Sequence, residues 1–219
     1  MMEKKRFSLS KKNKKPGHPS FLKEGRWMKR LVVITVGKTH SGKTTFARDL
    51  EKELYHSIVM DQDSHAEFIN TYYKKLQPKD GPNTLKHAIS KLIVQYTIEH
   101  TNHHLIICNS NRSRKGRSYL LEELFPPRSF TRILVHFDIP DNILEERIAL
   151  SRRSKDIFRG NYSSFMDVLD NQREDSLKED VIDPTKDEAD FLYVIKDSKD
   201  TQTVIQKILH IAKSAGEYL

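Results

Sequence analysis

The chain has 219 residues, of which 37% are hydrophobic and 31% charged, with a formal net charge of +8. That size suits one domain around a single core, and the composition suits a soluble globular protein in a reducing, cytoplasmic setting. Cys108 is the only cysteine, which excludes an internal disulfide, and no apolar run approaches the ~20 residues that a membrane helix requires.

The positive charge is unevenly placed. Residues 1–27 carry Lys4, Lys5, Arg6, Lys11, Lys12, Lys14, Lys15, Lys23 and Arg26 against Glu3 and Glu24, so nearly all of the excess lies in this leader. The leader has few apolar residues and is broken by Pro16, Gly17 and Pro19, and is expected to be disordered. Its end, Lys23 to Met28, back-translates to AAG GAG GGA AGG TGG ATG, which contains a ribosome-binding sequence. On that reading translation starts at Met28 and residues 28–219 form the domain. The basic balance is therefore weak support for a nucleic-acid partner.

From Met28 onward, apolar strands alternate with helices. Arg30 to Val36 is a β-branched run of the kind buried in parallel sheets. A glycine-bearing loop follows, then a helix with Phe46, Leu50 and Leu54 at helical spacing. A second strand ends in acidic residues, and a helix follows until the segment "PKDGPN" breaks it. The spacing of Leu85, Ile89, Leu92 and Tyr96 predicts the buried stripe of a long amphipathic helix. "HLIICNSN" predicts a third strand, and "GRSYLLEELF" a helix stopped by Pro126 and Pro127. "TRILVHFDIP" predicts a fourth strand, after which Asp141 is expected to cap the helix "NILEERIALSRR". "FLYVI" and "TQTVIQKILHIAK" close the chain as a strand and a helix. This alternation predicts a three-layer α/β fold with a parallel, five-stranded sheet and helices on both faces.

Gly37-Lys38-Thr39-His40-Ser41-Gly42-Lys43-Thr44 matches G-x-x-x-x-G-K-[ST] between a predicted strand and a predicted helix, the context that this phosphate-binding motif requires. The glycines let successive N–H groups close around phosphate oxygens, and the helix that follows adds its positive end. Lys43 is expected on the β- and γ-phosphates of ATP and the Thr44 hydroxyl on Mg²⁺, with Thr45 completing the loop. His40 and Ser41 fill variable positions. The Asp-x-x-Gly and Asn-Lys-x-Asp strings of a GTPase are absent.

Asp61 and Asp63 sit at the end of the second strand, where open α/β sheets bind ligands, and Arg147, Arg152, Arg153 and Arg159 follow the fourth strand. This layout resembles the nucleoside-monophosphate-kinase-like P-loop kinases, within them the group of polynucleotide kinase and the zeta toxins. "LIICNSNRSRKGR" is similar to the third-strand motif of polynucleotide kinases, with Asn109 where many relatives carry an aspartate. Gln172, Pro184 and Glu188 match the segment after their lid. The resemblance implies a helical lid, with Asp63 orienting and deprotonating the acceptor hydroxyl and Asp61 holding metal-bound water. Arg147 and Arg152 would then clamp the phosphates. Ala66 stands where polynucleotide kinases place an arginine for the acceptor end.

Each assignment has a plainer alternative. The two aspartates can cap the following helix, and the arginines can form a solvated helix end. Arg112, Arg114, Lys115 and Arg117 can bind an anionic acceptor or form a solvated loop. Phe68, Tyr72, Tyr73 and Tyr96 can stack on an acceptor, but their spacing favours the core, and Cys108 is expected to be buried. His100, His103 and His104 lack partners at zinc spacing and are expected in a polar turn. Three functions fit: an ATP- and Mg²⁺-dependent kinase of an unidentified small molecule, a 5′-hydroxyl nucleic-acid kinase, or an ATP-binding regulator that transfers nothing.

Overall fold

The strand order is set by which apolar runs bury both faces. In the computed structural model, which describes residues 29–78, 81–158 and 162–214, five strands form one all-parallel sheet in the order β2-β3-β1-β4-β5. They are β1 (Arg30–Gly37), β2 (Ser57–Asp61), β3 (His104–Cys108), β4 (Phe130–Phe137) and β5 (Phe191–Ile195). The leader, Met28, Arg159 and Gly160 lie outside the described residues.

β1 is central, and its side chains alternate between two cores. Leu31 and Val33 pack with Phe46, Leu50, Ile133, Leu144, Leu169 and Ile205, whereas Val32, Ile34 and Val36 pack with Val94, Leu105, Leu121, Phe125 and Leu134. The first core carries α1 (Lys43–Glu53), α5 (Asp141–Ala149), α6 (Phe165–Asp175) and α7 (Asp200–Ser214). The second carries α3 (Thr84–His100) and α4 (Arg114–Ser118), which continues as a π-helical stretch over Tyr119–Leu124. α2 (Gln62–Tyr72) packs on α3, where His65 Nδ1 and Ser90 Oγ lie 2.8 Å apart. Burying one large aliphatic side chain contributes ~1.5–3 kcal/mol, so these two cores hold the layers together.

Several expectations need correction. The buried face of α3 is Ser90, Val94 and Thr97, while Leu92 and Tyr96 are 65% and 60% exposed. The helix lies against α2 and β2 along that narrower strip, with Ser90 and Thr97 returning their hydroxyls to the helix carbonyls at Lys86 and Ile93 (both 2.9 Å). Phe68, Tyr72 and Tyr73 are exposed rather than core, with the Phe68 ring 5.5 Å from Tyr72 and 5.4 Å from Tyr73. α5 is entered through Pro140, and Asp141 makes no cap bond. α5 ends at Ala149, and residues 150–158 are irregular rather than a helical lid. Ser151 and Ser154 there accept from the N–H groups of Arg153 (3.2 Å) and Asp156 (3.0 Å), competing with helical pairing. His104 belongs to β3, buried, where Nδ1 accepts from the Leu31 N–H (2.8 Å).

Candidate active site

The carboxyl ends of β1 to β4 open on a cavity of about 1130 Å³. The phosphate loop forms its floor and is built by close approach. A Cβ on Gly37 would meet Phe137 Cβ and the Phe137 carbonyl oxygen at 3.0 Å, so only glycine lets β1 leave the sheet there. Gly42 precedes α1 at φ 101°, a left-handed conformation that side chains resist. His40 also has a positive φ, 56°, a cost that the surrounding bonds hold in place.

Those bonds come from distant elements. The Gly37 N–H donates to the Ser110 carbonyl (2.9 Å) and the Thr39 N–H to Gln172 Oε1 (2.7 Å). Lys38 Nζ pairs with Asp141 Oδ1 (2.5 Å), whose Oδ2 accepts from Arg173 Nε (2.9 Å). Asp141, expected as a cap, is thus the link that ties the loop to α6. Lys43 Nζ donates to the Lys38 carbonyl and to Ser41 Oγ (3.2 Å), curled over the loop.

Arg147 and Arg153 come together at the cavity wall. Arg147 donates to the His40 carbonyl (3.1 Å) and to Ser198 Oγ (2.8 Å), so it faces the loop rather than a surface acid. Arg153 Nη2 binds Asp63 Oδ2 (2.6 Å), and its guanidinium lies 5.4 Å from the Phe165 ring centroid. Arg152 is exposed and outside the cavity lining. Burial pushes Lys43 down to about 8, and burial with the charges of Arg153, Lys43 and Arg147 pushes His40 down to about 4. A neutral histidine among three cations marks a field that favours an anion.

Asp61 and Asp63 differ in role. Asp61, 5% exposed, is the N-cap of α2 and accepts from the Asp63 N–H (2.9 Å). Asp63 lies in the first turn and engages Arg153 instead of capping. Burial, with the Asp63 charge beside it, holds the Asp61 carboxyl above its usual range. The Thr44 hydroxyl and these carboxylates are hard oxygen donors, the set suited to a Mg²⁺ ion.

The third strand forms as expected and ends in a buried Cys108, followed by Asn109. Asn109 does not point to the loop threonine: its Nδ2 donates to Gln62 Oε1 (2.9 Å) and its Oδ1 accepts from the Ser110 N–H (2.9 Å). Cys108 is the residue beside Thr44, Sγ to Oγ1 at 3.6 Å. Burial, with the charge of Asp61, pushes its thiol up to about 11, so it stays protonated and is no ligand for a hard cation. Asp61 pairs with Cys108 across β2 and β3, which puts Cys108 at the same height as the acids, a register that the sequence alone does not carry.

The basic cluster after β3 divides: Arg112 and Arg117 are tied into the protein, whereas Arg114 and Lys115 are exposed. Arg117 is fully buried and bidentate to Glu188 (2.6 and 2.9 Å), while Nη1 donates to the Arg112 carbonyl (2.8 Å). Arg112 donates to the Gln172 carbonyl (2.8 Å), and the Lys115 N–H to Asp180 Oδ1 (3.0 Å). Among the described residues, no group of three or more His, Cys, Asp and Glu side chains forms a metal cluster, and no helix is long and apolar enough to cross a membrane.

Comparison with solved structures places this cleft in a known fold. A putative kinase from Chloroflexus aurantiacus is similar at a TM-score of 0.56 and 16% identity, covering 86% of this chain and 98% of that one. A sugar kinase from Janibacter sp. gives 0.53 and 19%, covering 86% and 99%. The Mycobacterium tuberculosis APS kinase CysC, solved with AMPPNP and APS, gives 0.53 and 13%, covering 84% and 98%. No curated protein matches the chain. The family model described as AAA domain (AAA_33) matches residues 32–175, from β1 through α6. With its loop, its five-stranded parallel sheet and that match, the chain belongs to this AAA domain family and has the P-loop kinase fold.

Proposed function

We propose that the protein transfers the γ-phosphoryl group of ATP to a hydroxyl of a small molecule, in a Mg²⁺-dependent reaction. The observation that carries this reading is Asp63 in one cleft with Lys43, Arg147 and Arg153. Phosphoryl transfer asks mainly for positioning and charge compensation, with one group to take the nucleophile's proton. Asp63 would accept that proton on a carboxylate oxygen as the acceptor oxygen bonds to phosphorus and the bridge to ADP breaks. Lys43 would turn from the Lys38 carbonyl to the β- and γ-oxygens, and Arg147 and Arg153 would meet the charge that develops on the transferred group. Thr44 and Asp61 would hold Mg²⁺, which when bound supplies positive charge to the phosphates.

A small acceptor is favoured over a polynucleotide by the roof of the cleft. Asn70 Nδ2 donates to the Phe158 and Asp156 carbonyls, the former at 3.0 Å, and Arg153 is tied to Asp63. Segment 150–158 therefore crosses above α2 where a strand of nucleic acid would have to leave. Ala66 is 4% exposed and offers nothing to a terminal phosphate. The sugar kinase and APS kinase among the similar structures act, by their names, on small molecules.

The test is Asp63→Asn, assayed as acceptor-dependent ADP release across sugars, nucleosides, antibiotics and 5′-hydroxyl oligonucleotides. Transfer should fall by about 10² or more while ATP affinity holds, because asparagine keeps the shape but cannot take a proton. Undiminished transfer would remove the assignment, and transfer to oligonucleotides alone would replace the small acceptor.

A further inference from the structure

We propose that Lys86 selects the acceptor, and that the acceptor is a small hydroxy compound carrying an anionic group, a carboxylate or a phosphate. This rests on the kinase reading above and names the substrate class of the same site. Lys86 lines the cavity on the wall made by α2 and α3, with Asp63, Ala66 and Asn83. The other cations that line the cleft are engaged: Arg153 with Asp63, Arg147 with the His40 carbonyl and Ser198, and Lys43 with the loop itself. Among the described residues, no carboxylate pairs with Lys86.

Its position in α3 argues against a merely structural role. Asn83 is the N-cap and its side chain accepts from the Lys86 N–H (3.1 Å), so Lys86 stands in the first turn, which contains no acidic residue. A cation there opposes the helix dipole and has no acidic partner in its turn. A ligand anion would reverse both effects. Ile157, Phe158 and Tyr162 also line the cavity, with Phe158 4.7 Å from Phe165 and 6.4 Å from Tyr162 between ring centroids. The acceptor end thus offers a carboxylate for a hydroxyl, a lysine for an anion and an aromatic face for carbon.

The experiment is calorimetric titration of the full chain saturated with AMPPNP and Mg²⁺, which occupies the phosphate loop. Inorganic phosphate, acetate and, as the neutral control, glycerol are the probes, on wild type, Lys86→Gln, Lys86→Arg and Lys91→Gln. Lys91 is exposed on the same helix and serves as a surface control. One of the two anions should bind in wild type, Lys86→Arg and Lys91→Gln and weaken about tenfold in Lys86→Gln, as loss of a charged hydrogen bond predicts. Which anion binds better distinguishes the two headgroups. The proposal is overturned by wild type binding neither anion above glycerol, or by equal affinity in Lys86→Gln. Failure of AMPPNP to bind would bring down the kinase reading together with this one, whereas AMPPNP binding without anion binding brings down this one alone.

Discussion

The two ends of the cleft are built differently. At the donor end, eight consecutive residues, Gly37 to Thr44, bring backbone N–H groups, a lysine and a hydroxyl to one place, and distant elements only brace them. At the acceptor end no two adjacent residues suffice. Asp63 meets Arg153, Asn70 meets Phe158, and Lys86 comes from a third element. A site made of contiguous chain is fixed once its strand and helix form, whereas a site made of long-range pairs depends on every partner. The donor end should therefore fail locally and the acceptor end by loosening.

Lys43→Ala puts the sharpest strain on this contrast. It should reduce ATP affinity and transfer by about a hundredfold or more, since the main cation on the β- and γ-phosphates is gone. The melting temperature should not fall, because Lys43 bonds only within its own loop and its buried charge is a cost to the free protein. A comparable fall in melting temperature would show that the donor end is not locally built.

A milder probe of the same end is pH. Lys43 is depressed to about 8 by burial, whereas bound phosphates favour its charged form. In the free protein it therefore loses its proton above pH 8, and binding ATP must restore it. ATP affinity measured by titration should fall by up to about tenfold per pH unit above 8 and stay flat below. The stability of the free protein should move the other way: with the folded value lowered, the cost of charging Lys43 is fully present below pH 8. It is relieved as pH rises from 8 towards the unfolded value near ~10.4.

The smallest expected effect lies at the acceptor end. Asn70→Ala removes two side-chain bonds from one amide, together ~1 kcal/mol at a part-exposed site, so amide exchange in residues 150–158 should quicken about fivefold. ATP affinity should not change. Unaltered exchange would mean that the Asp63–Arg153 pair alone holds the segment down.

The same division explains what could be seen in advance. The sheet, the loop and α1 follow from local pattern: an apolar strand, glycines at fixed offsets, and Phe46, Leu50 and Leu54 on one face. The α3 stripe misled because Leu92 and Tyr96 share the period of buried residues, while small Ser90 and Thr97 make the actual contact. Asp63 and Arg147 were legible by type and position, but the partner of Asp63, Arg153, lies 90 residues away. Arg117 looked like part of a charge run, and only its pairing with Glu188, 71 residues on, makes it a buried anchor. Cys108 ends β3 and Asn109 is the first residue past it, in a bend that turns its side chain to Gln62 while Cys108 faces Thr44.

The central place of β1 has a consequence for the order in which the chain becomes competent. Val32 pairs with Leu105 on one side and Arg132 on the other, so the strand that carries the phosphate loop is flanked by segments made much later. Closing loops of that length precedes the reward of pairing, which makes such sheets slow to assemble. On a ribosome that releases residues in sequence, the loop at Gly37 to Thr44 emerges early yet stays without its supporting neighbours until β4 has cleared the exit tunnel. Nascent chains stopped before Phe130 should not retain nucleotide, and those long enough to bring Phe137 out of the tunnel should begin to.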